Sequence, residues 1–490
     1  MIGVILKGHD YKYEVAELIK LFTTDFEFIE EKSFGRILEN VVLVYNDTLI
    51  AKTKYYENYE LKYEFADHIE IKGLDEQELK KATKETIKRT MFKVLQNRLN
   101  TYVPWGILTG IRPVKIVHTL LDKVMDEGHI REILKEKYYI MNEKIDLALD
   151  IAKRERVFMY PIDENKISLY VSIPFCPTRC YYCSFPANPI KQFGHLKKQY
   201  VEKLIEEIKG LAKIIKDTNK EIETLYIGGG TPTTLDEDEM DALITALFKE
   251  LDLNHIKEFT VEAGRPDSIT RGKLEVLKKH NVSRISINPQ TMNDKTLEKI
   301  GRDHKVCDIV DCFNMARELG FDNINMDIIL GLVDEDLEMV KNTLDQIKKL
   351  SPESLTVHTL AIKRASNLKE NLDKYELTRY EEMIKMIDLS MECAHDMGLN
   401  PYYMYRQKHM LGNLENIGYA KEGYECIYNI QIMEEKQSNY AVGAGSISKF
   451  VYVDEDRIER VDNVKNVEQY IDRVDEMIER KRKEIYQNVN

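Results

Sequence analysis

The sequence between residues 167 and 362 alternates short β-like runs with amphipathic helical stretches. Six runs rich in apolar and β-branched residues predict strands: ISLYVSIPF, ETLYIGG, EFTVEA, RISINPQ, NINMDIIL and SLTVHTLAI. Helical periodicity is found between them at residues 236–251, 270–281, 304–319 and 335–350. Repeated strand–helix units with right-handed crossovers predict a parallel sheet and an α/β fold. Six units fall short of the eight in a closed barrel, so a partial barrel and an open doubly wound sheet both fit.

Chemically useful residues recur where these predicted strands end. Cys176 follows the first strand, Gly228 ends the second, Glu262 ends the third and Gln290 ends the fourth, while Asp327 lies in the fifth. Parallel α/β sheets bind ligands at the carboxyl ends of their strands. Because chance would scatter such residues, the pattern predicts a single site along this edge.

Three of the seven cysteines lie close together directly after the first strand. They are Cys176, Cys180 and Cys183. Three thiolates on one loop suggest a soft metal. Zinc in a structural site needs a fourth ligand, and a redox dithiol would use Cys180 and Cys183 but leave Cys176 unexplained. A [4Fe–4S] cluster held by three cysteines keeps one iron open, and the residues favour this interpretation without excluding the other two.

Composition narrows the class of protein. The chain has 490 residues, 43% of them hydrophobic, and a net charge of −13, which argues against a broad nucleic-acid surface. It contains no apolar window long enough for a membrane helix and no secretory signal, so we expect a cytoplasmic protein that binds no membrane. Seven cysteines in a long chain do not resemble a disulfide framework. Cys307 and Cys312 are expected to pack in the core.

Three domains are predicted. Residues 1–160 form an α+β unit of unknown role, with strands at IGVILKG and FEFIEE, a hairpin turning at Asn46-Asp47, and a long helix at 75–100. The segment YPIDENK marks its end. Residues 161–370 carry the β/α repeats, and residues 371–490 follow as a further domain in which that rhythm stops.

The cysteine spacing, C-x3-C-x2-C with an aromatic residue before the last cysteine, is similar to the signature of the radical S-adenosylmethionine (SAM) enzymes. The strings YVSIPFCPTRCYYCSF and YIGGGTPT resemble the oxygen-independent coproporphyrinogen III oxidase family over roughly residues 165–450. PWGILTGIRPVK is similar to its HemZ-type branch, which has an extra N-terminal domain. The resemblance implies a partial (β/α)6 TIM-like barrel at 161–370 and a C-terminal α/β extension on the substrate side at 371–490.

The resemblance also implies cofactors and their ligands. Cys176, Cys180 and Cys183 would hold a [4Fe–4S] cluster whose open iron is chelated by SAM. Tyr170 matches a tyrosine that packs against the cluster and SAM, and it is the candidate catalytic residue. The SAM-binding positions that carry over are Tyr170, Gly228, Gly229, Gly230, Thr231, Glu262, Gln290, Arg302, Asp327 and Ala361.

The implied activity is oxidative decarboxylation. One electron from a flavodoxin or ferredoxin would cleave SAM, and the resulting radical would convert two propionates of coproporphyrinogen III to vinyl groups, giving protoporphyrinogen IX for haem biosynthesis. The substrate carboxylates require cations. The candidates are Arg265, Arg364, Arg406 and Lys408. The rings of Tyr402, Tyr403 and Tyr405 are expected to face the tetrapyrrole.

One position departs from the family. Coproporphyrinogen dehydrogenases have a further cysteine two residues after the third, and this chain has Phe185 there. The related haem chaperones also lack that cysteine. A haem-binding chaperone without decarboxylase activity is therefore one alternative. Another radical SAM reaction on a tetrapyrrole, such as a haem-opening methyl transfer, is the second.

Overall fold

The computed structural model describes residues 1–31, 33–185, 187–361, 380–407 and 414–487. It contains two compact units, Met1–Leu149 and Asp150–Asn490. Within the described ranges, no helix has both the length and the apolar character needed to cross a bilayer.

The first unit is built on one five-stranded sheet. Its elements are β1 Ile2–Lys7, α1 Lys12–Ile19, β2 Phe26–Phe28, β3 Arg36–Tyr45, β4 Thr48–Glu57, β5 Glu60–Glu70, α2 Glu76–Leu99, α3 Val114–Asp122, α4 Glu127–Glu132 with the π-helical turn Ile133–Lys137, and the start of α5 Asn142–Met159. The strand order is β2-β1-β3-β4-β5. Strand β1 runs parallel to both neighbours, and β3, β4 and β5 form an antiparallel meander.

Local sequence signals explain the main elements of this unit. Asn46 and Asp47 both adopt positive φ, 45° and 58°, which matches the tight turn between β3 and β4 that the sequence predicts. The Asp75 side chain accepts hydrogen bonds from the first-turn amides of α2, and Asn100 ends that helix in the left-handed conformation. The predicted helix at 75–100 is confirmed. The alternating run in β5 and the short α1 were not predicted.

The second unit holds the remaining elements. They are β6 Lys166–Ile173, β7 Phe175–Cys176, β8 Asn188–Pro189, α6 Ile190–Phe193, α7 Lys197–Asp217, β9 Glu221–Gly229, α8 Glu237–Glu250, β10 Glu258–Gly264, α9 Arg271–Lys279, β11 Arg284–Ile287, α10 Asp294–Lys299, α11 Val306–Glu318, β12 Ile324–Leu330, α12 Leu337–Leu350, β13 Ser354–Thr359, α13 Tyr380–Asp396, β14 Asn400–Tyr405, β15 Asn416–Ala420, α14 Ile427–Glu434, β16 Ser438–Val442, β17 Ile447–Tyr452, β18 Arg457–Asp462, α15 Val467–Asp472 and α16 Val474–Gln487.

An eleven-stranded sheet organises this unit, in the order β14-β15-β13-β12-β11-β10-β9-β6-β16-β17-β18. The six predicted strands lie side by side, parallel and in chain order, from β6 to β13. The four predicted helices α8, α9, α11 and α12 lie in four of the five crossovers, and α7, which was not predicted, lies in the crossover from β6 to β9. The α/β prediction is confirmed, and the molecule has the partial TIM-like barrel that the radical SAM resemblance implied.

The C-terminal segment does not form a separate layer. Strands β14 and β15 add to β13 in antiparallel register, whereas β16 adds to β6 in parallel register at the other side. The run YAVGAGSISKF divides into β16 and β17 around a turn at 443–446. Residues 150–490 form one compact unit, and the further division at residue 370 stays a prediction. The two compact units meet at Leu149, inside α5 and before the predicted boundary at 160.

A buried ion pair fixes the turn between β16 and β17. The Lys481 Nζ lies 2.7 Å from Oε1 of Glu207, and both side chains are almost fully buried. The other oxygen of Glu207 accepts hydrogen bonds from the Gly443 amide, at 2.7 Å, and from the Tyr470 hydroxyl, at 2.6 Å. Asn463 donates to Oε1 and accepts from Lys481. This network links α7, α15 and α16 to the edge of the sheet that carries the site.

Candidate active site at the carboxyl edge of the sheet

A cavity of about 390 Å³ opens at the carboxyl ends of the parallel strands. The predicted site residues that line it are Tyr170, Cys176, Cys180, Cys183, Gly229, Gly230, Thr231, Glu262, Arg265, Gln290, Arg302, Asp327 and Ala361. Gly228 lies just behind the wall, where a β-carbon would come within 3.0 Å of the Glu262 carboxyl carbon. The parallel topology thus brings residues from six strand ends to one place.

The three cysteines share the loop that follows β6. Cys176 lies in the short strand β7, and Cys180 and Cys183 follow in the loop. None of the three is in a disulfide, and Cys176 and Cys180 are buried. The loop is anchored to the start of the segment after α10, because the Tyr181 amide donates to the Ile300 carbonyl and the Thr178 hydroxyl donates to the Gly301 carbonyl. Residues 300 and 301 therefore hold the cysteine loop at two points.

The donor set fits an iron–sulfur cluster. Burial raises the pKa of Cys176 to about 11, although the Thr231 hydroxyl partly offsets this through a hydrogen bond. Such a thiol stays protonated at neutral pH unless a metal displaces the proton. A β-carbon at Gly230 would lie 2.9 Å from the Cys176 sulfur and 2.4 Å from the Phe175 carbonyl oxygen, so only glycine fits beside that sulfur. Three soft sulfur ligands around one cavity suit three irons of a [4Fe–4S] cluster.

Glu262 has a carboxyl group whose pKa lies near neutral pH. Its removal from water raises its pKa to about 7, and the Asp327 charge acts in the same direction. A hydrogen bond from the Tyr226 hydroxyl and another from the Gly229 amide favour the ionised form and limit the rise. The carboxylate is thus placed to accept hydrogen bonds from a cationic or amine-bearing ligand.

Asp327 differs from Glu262 because it has a basic neighbour. Burial alone would raise its pKa, but hydrogen bonding to His358 and the charge of His358, with help from Asn325 and Thr356, hold the pKa of Asp327 below its usual value. The Asn325 amide donates to the carboxylate at 2.7 Å. At neutral pH Asp327 therefore stays ionised beside Glu262, whose pKa of about 7 leaves it partly protonated, and the cavity offers two carboxyl groups with different protonation.

Gln290 and Arg302 complete the opposite wall. Gln290 has φ of 66°, and its amide and carbonyl both bond to β12, through Asp327 and Ile329, each at 2.9 Å. Arg302 is buried and donates to the Asn288 carbonyl at 2.7 Å and to the Tyr182 hydroxyl at 3.2 Å. Arg302 therefore joins the end of β11 to the cysteine loop.

Tyr170 stands between this cavity and a second one of about 200 Å³. Its ring stacks on the rings of Tyr226 and Tyr428 with centroids 6.0 Å away in each case. The two cavities share Tyr170, Phe185, Gly229 and Gly230. The second is lined further by Ser172, Pro174, Tyr428, Ile432, Asn439, Ala444, Gly445, Ser446, Ile447 and Lys449. An aromatic and largely apolar space thus adjoins the cysteine loop.

The candidate substrate cations are placed differently from the prediction. Arg265 lines the cavity but its guanidinium points to the cysteine loop and to Asp267. Arg406 is 2% exposed and lies outside the lining of both cavities; burial lowers its pKa to about 10, which leaves it charged at neutral pH. Arg364 and Lys408 lie outside the described residues.

The tyrosine prediction is wrong for two of its three residues. Tyr402 and Tyr403 lie in a buried core cluster with Tyr226 and Tyr428, and β14 is covered on both faces there. Tyr405 lines the cavity, as expected. The prediction for Cys307 is also wrong, because it is exposed on α11, whereas Cys312 is buried.

Several residues of the cavity wall were not predicted. They are Thr178, Tyr182, Asn288, His358 and Asn416. His358 lies within the predicted strand SLTVHTLAI and one residue before the end of β13, so the rule that placed Asp327 at this edge also applies to it. Thr178 and Tyr182 lie between the cysteines, and no sequence feature other than that position marked them as residues of the cavity wall. No sequence signal distinguishes Asn416, which approaches the cavity from β15.

Comparisons with known proteins agree with this geometry. A family model described as the radical SAM superfamily matches residues 170–347. The oxygen-independent coproporphyrinogen-III oxidase-like protein HemZ of Bacillus subtilis (strain 168) is 40% identical over 418 residues, which cover 84% of this chain and 83% of HemZ. Heme chaperone HemW of the same organism is 31% identical over 282 residues, covering 57% and 70% of the two chains.

The structure of coproporphyrinogen III oxidase (HemN) from Escherichia coli aligns with a TM-score of 0.53 and 24% identity, covering 67% of this chain and 73% of HemN. At that identity the match speaks for the fold alone. Members of the superfamily bind a [4Fe–4S] cluster and SAM, which is the pair of groups that the cysteine loop and its cavity suit. The chain is a radical SAM protein and belongs to the HemZ-type, oxygen-independent coproporphyrinogen III oxidase-like family.

Proposed function

We propose that this protein catalyses the oxidative decarboxylation of two propionates of coproporphyrinogen III, giving protoporphyrinogen IX. The observation that carries the proposal is the second cavity, which has aromatic and apolar walls and adjoins the cysteine loop. It shares Tyr170 and Phe185 with the first cavity. A tetrapyrrole needs such an apolar space next to the site of radical formation. The 40% identity with HemZ over most of both chains supports the same substrate class.

The chain's own residues divide into groups with different tasks. When bound, the cluster and SAM supply a 5′-deoxyadenosyl radical from one electron, and we propose a flavodoxin or ferredoxin as its source. Cys176, Cys180 and Cys183 would hold the iron. Glu262 and Asp327 would accept hydrogen bonds from the amine and hydroxyl groups of SAM, the carbonyls of the glycine loop would accept others, and Ala361 would border the adenine. The remaining SAM contacts would come from Gly229, Gly230, Thr231, Gln290 and Arg302, with Gly228 behind them.

The substrate side is formed by apolar side chains with one cation. Phe185 is 64% exposed and borders both cavities, so its ring is available to a ligand. Ile432, Ile447 and Tyr428 add apolar surface. Lys449 lines the same cavity, with its Nζ 2.9 Å from Glu435. We assign a propionate to this ammonium, which lies on the other side of Tyr170 from the cysteine loop.

Turnover under anaerobic conditions tests the proposal. The cluster-loaded protein is incubated with SAM, dithionite and coproporphyrinogen III, and 5′-deoxyadenosine and oxidised porphyrins are quantified by chromatography. We expect both 5′-deoxyadenosine and protoporphyrin from the wild type and neither from Cys180→Ala. SAM cleavage without any decarboxylated porphyrin would contradict the proposal.

Haem delivery is the second candidate, and Phe185 is the observation that favours it. The family's dehydrogenases have a cysteine at this position, and the chain is 31% identical to a relative named heme chaperone HemW. A chaperone would bind haem in the second cavity without changing it. Stoichiometric haem binding to the cluster-loaded wild type, together with the absence of protoporphyrin in the turnover assay, would replace the first proposal with this one.

A further inference from the structure

Arg265 makes a direct contact with one of the three cluster cysteines. Its Nη1 lies 3.6 Å from the Cys180 sulfur, within hydrogen-bonding distance for a sulfur acceptor. The same nitrogen donates to the carbonyl and the hydroxyl oxygens of Thr178, at 3.0 and 2.9 Å. The guanidinium is therefore hydrogen-bonded to the cysteine loop at Thr178, between the first and second cysteines, and at Cys180 itself.

A second residue fixes the direction of this guanidinium. Asp267 accepts from Nε of Arg265 at 2.9 Å and from Nη2 at 2.5 Å, a two-pronged pairing that defines the plane of the group. Asp267 also faces His304, whose Nδ1 lies 3.6 Å from Oδ1. Arg265 is 4% exposed. With three of its nitrogens engaged by protein acceptors, it is poorly placed to bind a substrate propionate.

The local backbone leaves the pair little freedom. Arg265 follows the end of β10, and its amide donates to the Ala263 carbonyl at 2.8 Å. Its own carbonyl accepts from the amide and the hydroxyl of Ser268, at 3.0 and 2.8 Å. Arg265 and Asp267 thus lie on one tight turn, which is rigid on both sides of the ion pair.

We propose that Arg265 is a positioning residue that sets the reduction potential of the cluster through Cys180. A cysteinate that ligates iron carries negative charge, and a cluster gains one more negative charge when it is reduced. A cationic N–H donor at a ligand sulfur stabilises the reduced form more than the oxidised form, so it raises the potential. Burial strengthens the effect because the surroundings screen charge weakly.

The inference concerns electron entry, and it does not rest on the identity of the tetrapyrrole. The radical chemistry of the family begins when the cluster accepts one electron from an external donor. A higher cluster potential makes that transfer more favourable for a given donor. Arg265 therefore matches the cluster to its reductant, and Asp267 keeps the guanidinium in place for this purpose.

The midpoint potential of the reconstituted cluster tests the inference without any substrate. Dithionite supplies electrons through mediators, and the signal of the reduced cluster is followed by electron paramagnetic resonance against the applied potential. Iron and sulfide analysis establishes equal loading of the wild type, Arg265→Met and Arg265→Lys. Arg271→Met is the matched control, because Arg271 is exposed and pairs with Glu318 on the surface.

We expect a lower potential in Arg265→Met, by at least a tenfold change in the reduction equilibrium, about 59 mV for one electron. Arg265→Lys keeps the charge without the planar fork and is expected to fall between Arg265→Met and the wild type. Arg271→Met is expected to match the wild type. An unchanged or higher potential in a fully loaded Arg265→Met would overturn the proposal.

If Arg265→Met does not retain the cluster, Arg265→Lys decides the question. A potential of Arg265→Lys equal to that of the wild type would then overturn the proposal. Failure of both variants to bind iron, with melting temperatures equal to that of the wild type, would assign Arg265 to cluster assembly instead of redox tuning. A wild type that makes no protoporphyrin leaves the potential measurement unaffected. The two proposals therefore fail in distinguishable ways.

Discussion

The Tyr226 hydroxyl donates a hydrogen bond of 2.6 Å to Oε1 of Glu262. Tyr226 is itself part of an aromatic stack with Tyr170 and Tyr428, so the donor is held rigidly. The bond favours the carboxylate, whereas burial and the charge of Asp327 oppose it, and the pKa of Glu262 settles at about 7. A stack of rings thus sets how much negative charge the cavity carries at neutral pH.

Glu262→Gln is expected to stabilise the cluster-free protein more at pH 8 than at pH 5. The folded state binds a proton on Glu262 up to about pH 7, whereas the unfolded chain releases it near the usual value of 4.5. The wild type therefore loses stability relative to the glutamine variant as pH rises between these values. Melting temperatures at both pH values measure the difference. An equal difference at pH 5 and pH 8 would contradict the raised pKa.

Replacing any one of the three loop cysteines by serine is expected to abolish stable cluster binding. The loop supplies three sulfur ligands, and a cluster held by only two of them would have too few protein ligands. Iron and sulfide content and the visible absorption after reconstitution provide the measurement. Cys307→Ser is the control, because this thiol is exposed on α11, and it should load as the wild type does. Full loading of Cys176→Ser, Cys180→Ser or Cys183→Ser would show that the ligand assignment is wrong.

Gly230→Ala is expected to reduce cluster loading and SAM affinity together. The added methyl would meet the Phe175 carbonyl oxygen at 2.4 Å and the Cys176 sulfur at 2.9 Å, and both belong to backbone or to a fixed ligand. The loop must therefore move to accept it. Equilibrium dialysis with labelled SAM and iron analysis measure the two losses. Gly110→Ala, where a β-carbon has no neighbour within 4 Å, should change neither.

Lys481→Met is expected to destabilise the protein by about 3–5 kcal/mol, because it leaves Glu207 charged and buried without its cation. Denaturant unfolding followed by circular dichroism measures the loss. Lys481→Met combined with Glu207→Gln should recover part of it, since the buried charge is then absent. Arg480→Met, on the exposed face of the same helix, should cost less than about 1 kcal/mol. Equal losses for Lys481→Met and Arg480→Met would exclude a special role for the buried pair.

Periodicity was sufficient to predict the barrel strands and the edge on which the site lies. Apolar runs of strand length marked β6 to β13, and the residues at their ends, among them Glu262, Gln290 and Asp327, meet in one cavity. Periodicity did not identify β16 as the parallel neighbour of β6, because a strand's sequence does not state which edge it will pair with. The family resemblance covered this region but did not indicate which strand pairs with the free side of β6.

Side-chain direction was the other limit. Arg265 was predicted as a cation for the substrate carboxylates, but the sequence does not reveal that Asp267, two residues later, turns its guanidinium toward Cys180. The three tyrosine rings were expected to face the tetrapyrrole, yet Tyr402 and Tyr403 are consecutive residues of β14 and point to opposite faces of the strand, both of which are covered. Contacts between residues distant in the sequence decide such cases.

The cysteine loop follows β6, and the two strands that pair with β6 are synthesised at very different times. Strand β9 follows β6 closely, but β16 is separated from it by most of the second unit: Ser168 bonds to Gln437, which lies 269 residues further along the chain. Domains form as the ribosome releases them. The supporting edge of the loop is therefore completed only after residues 438–442 have been synthesised, and iron supplied before that moment would meet an incomplete binding site.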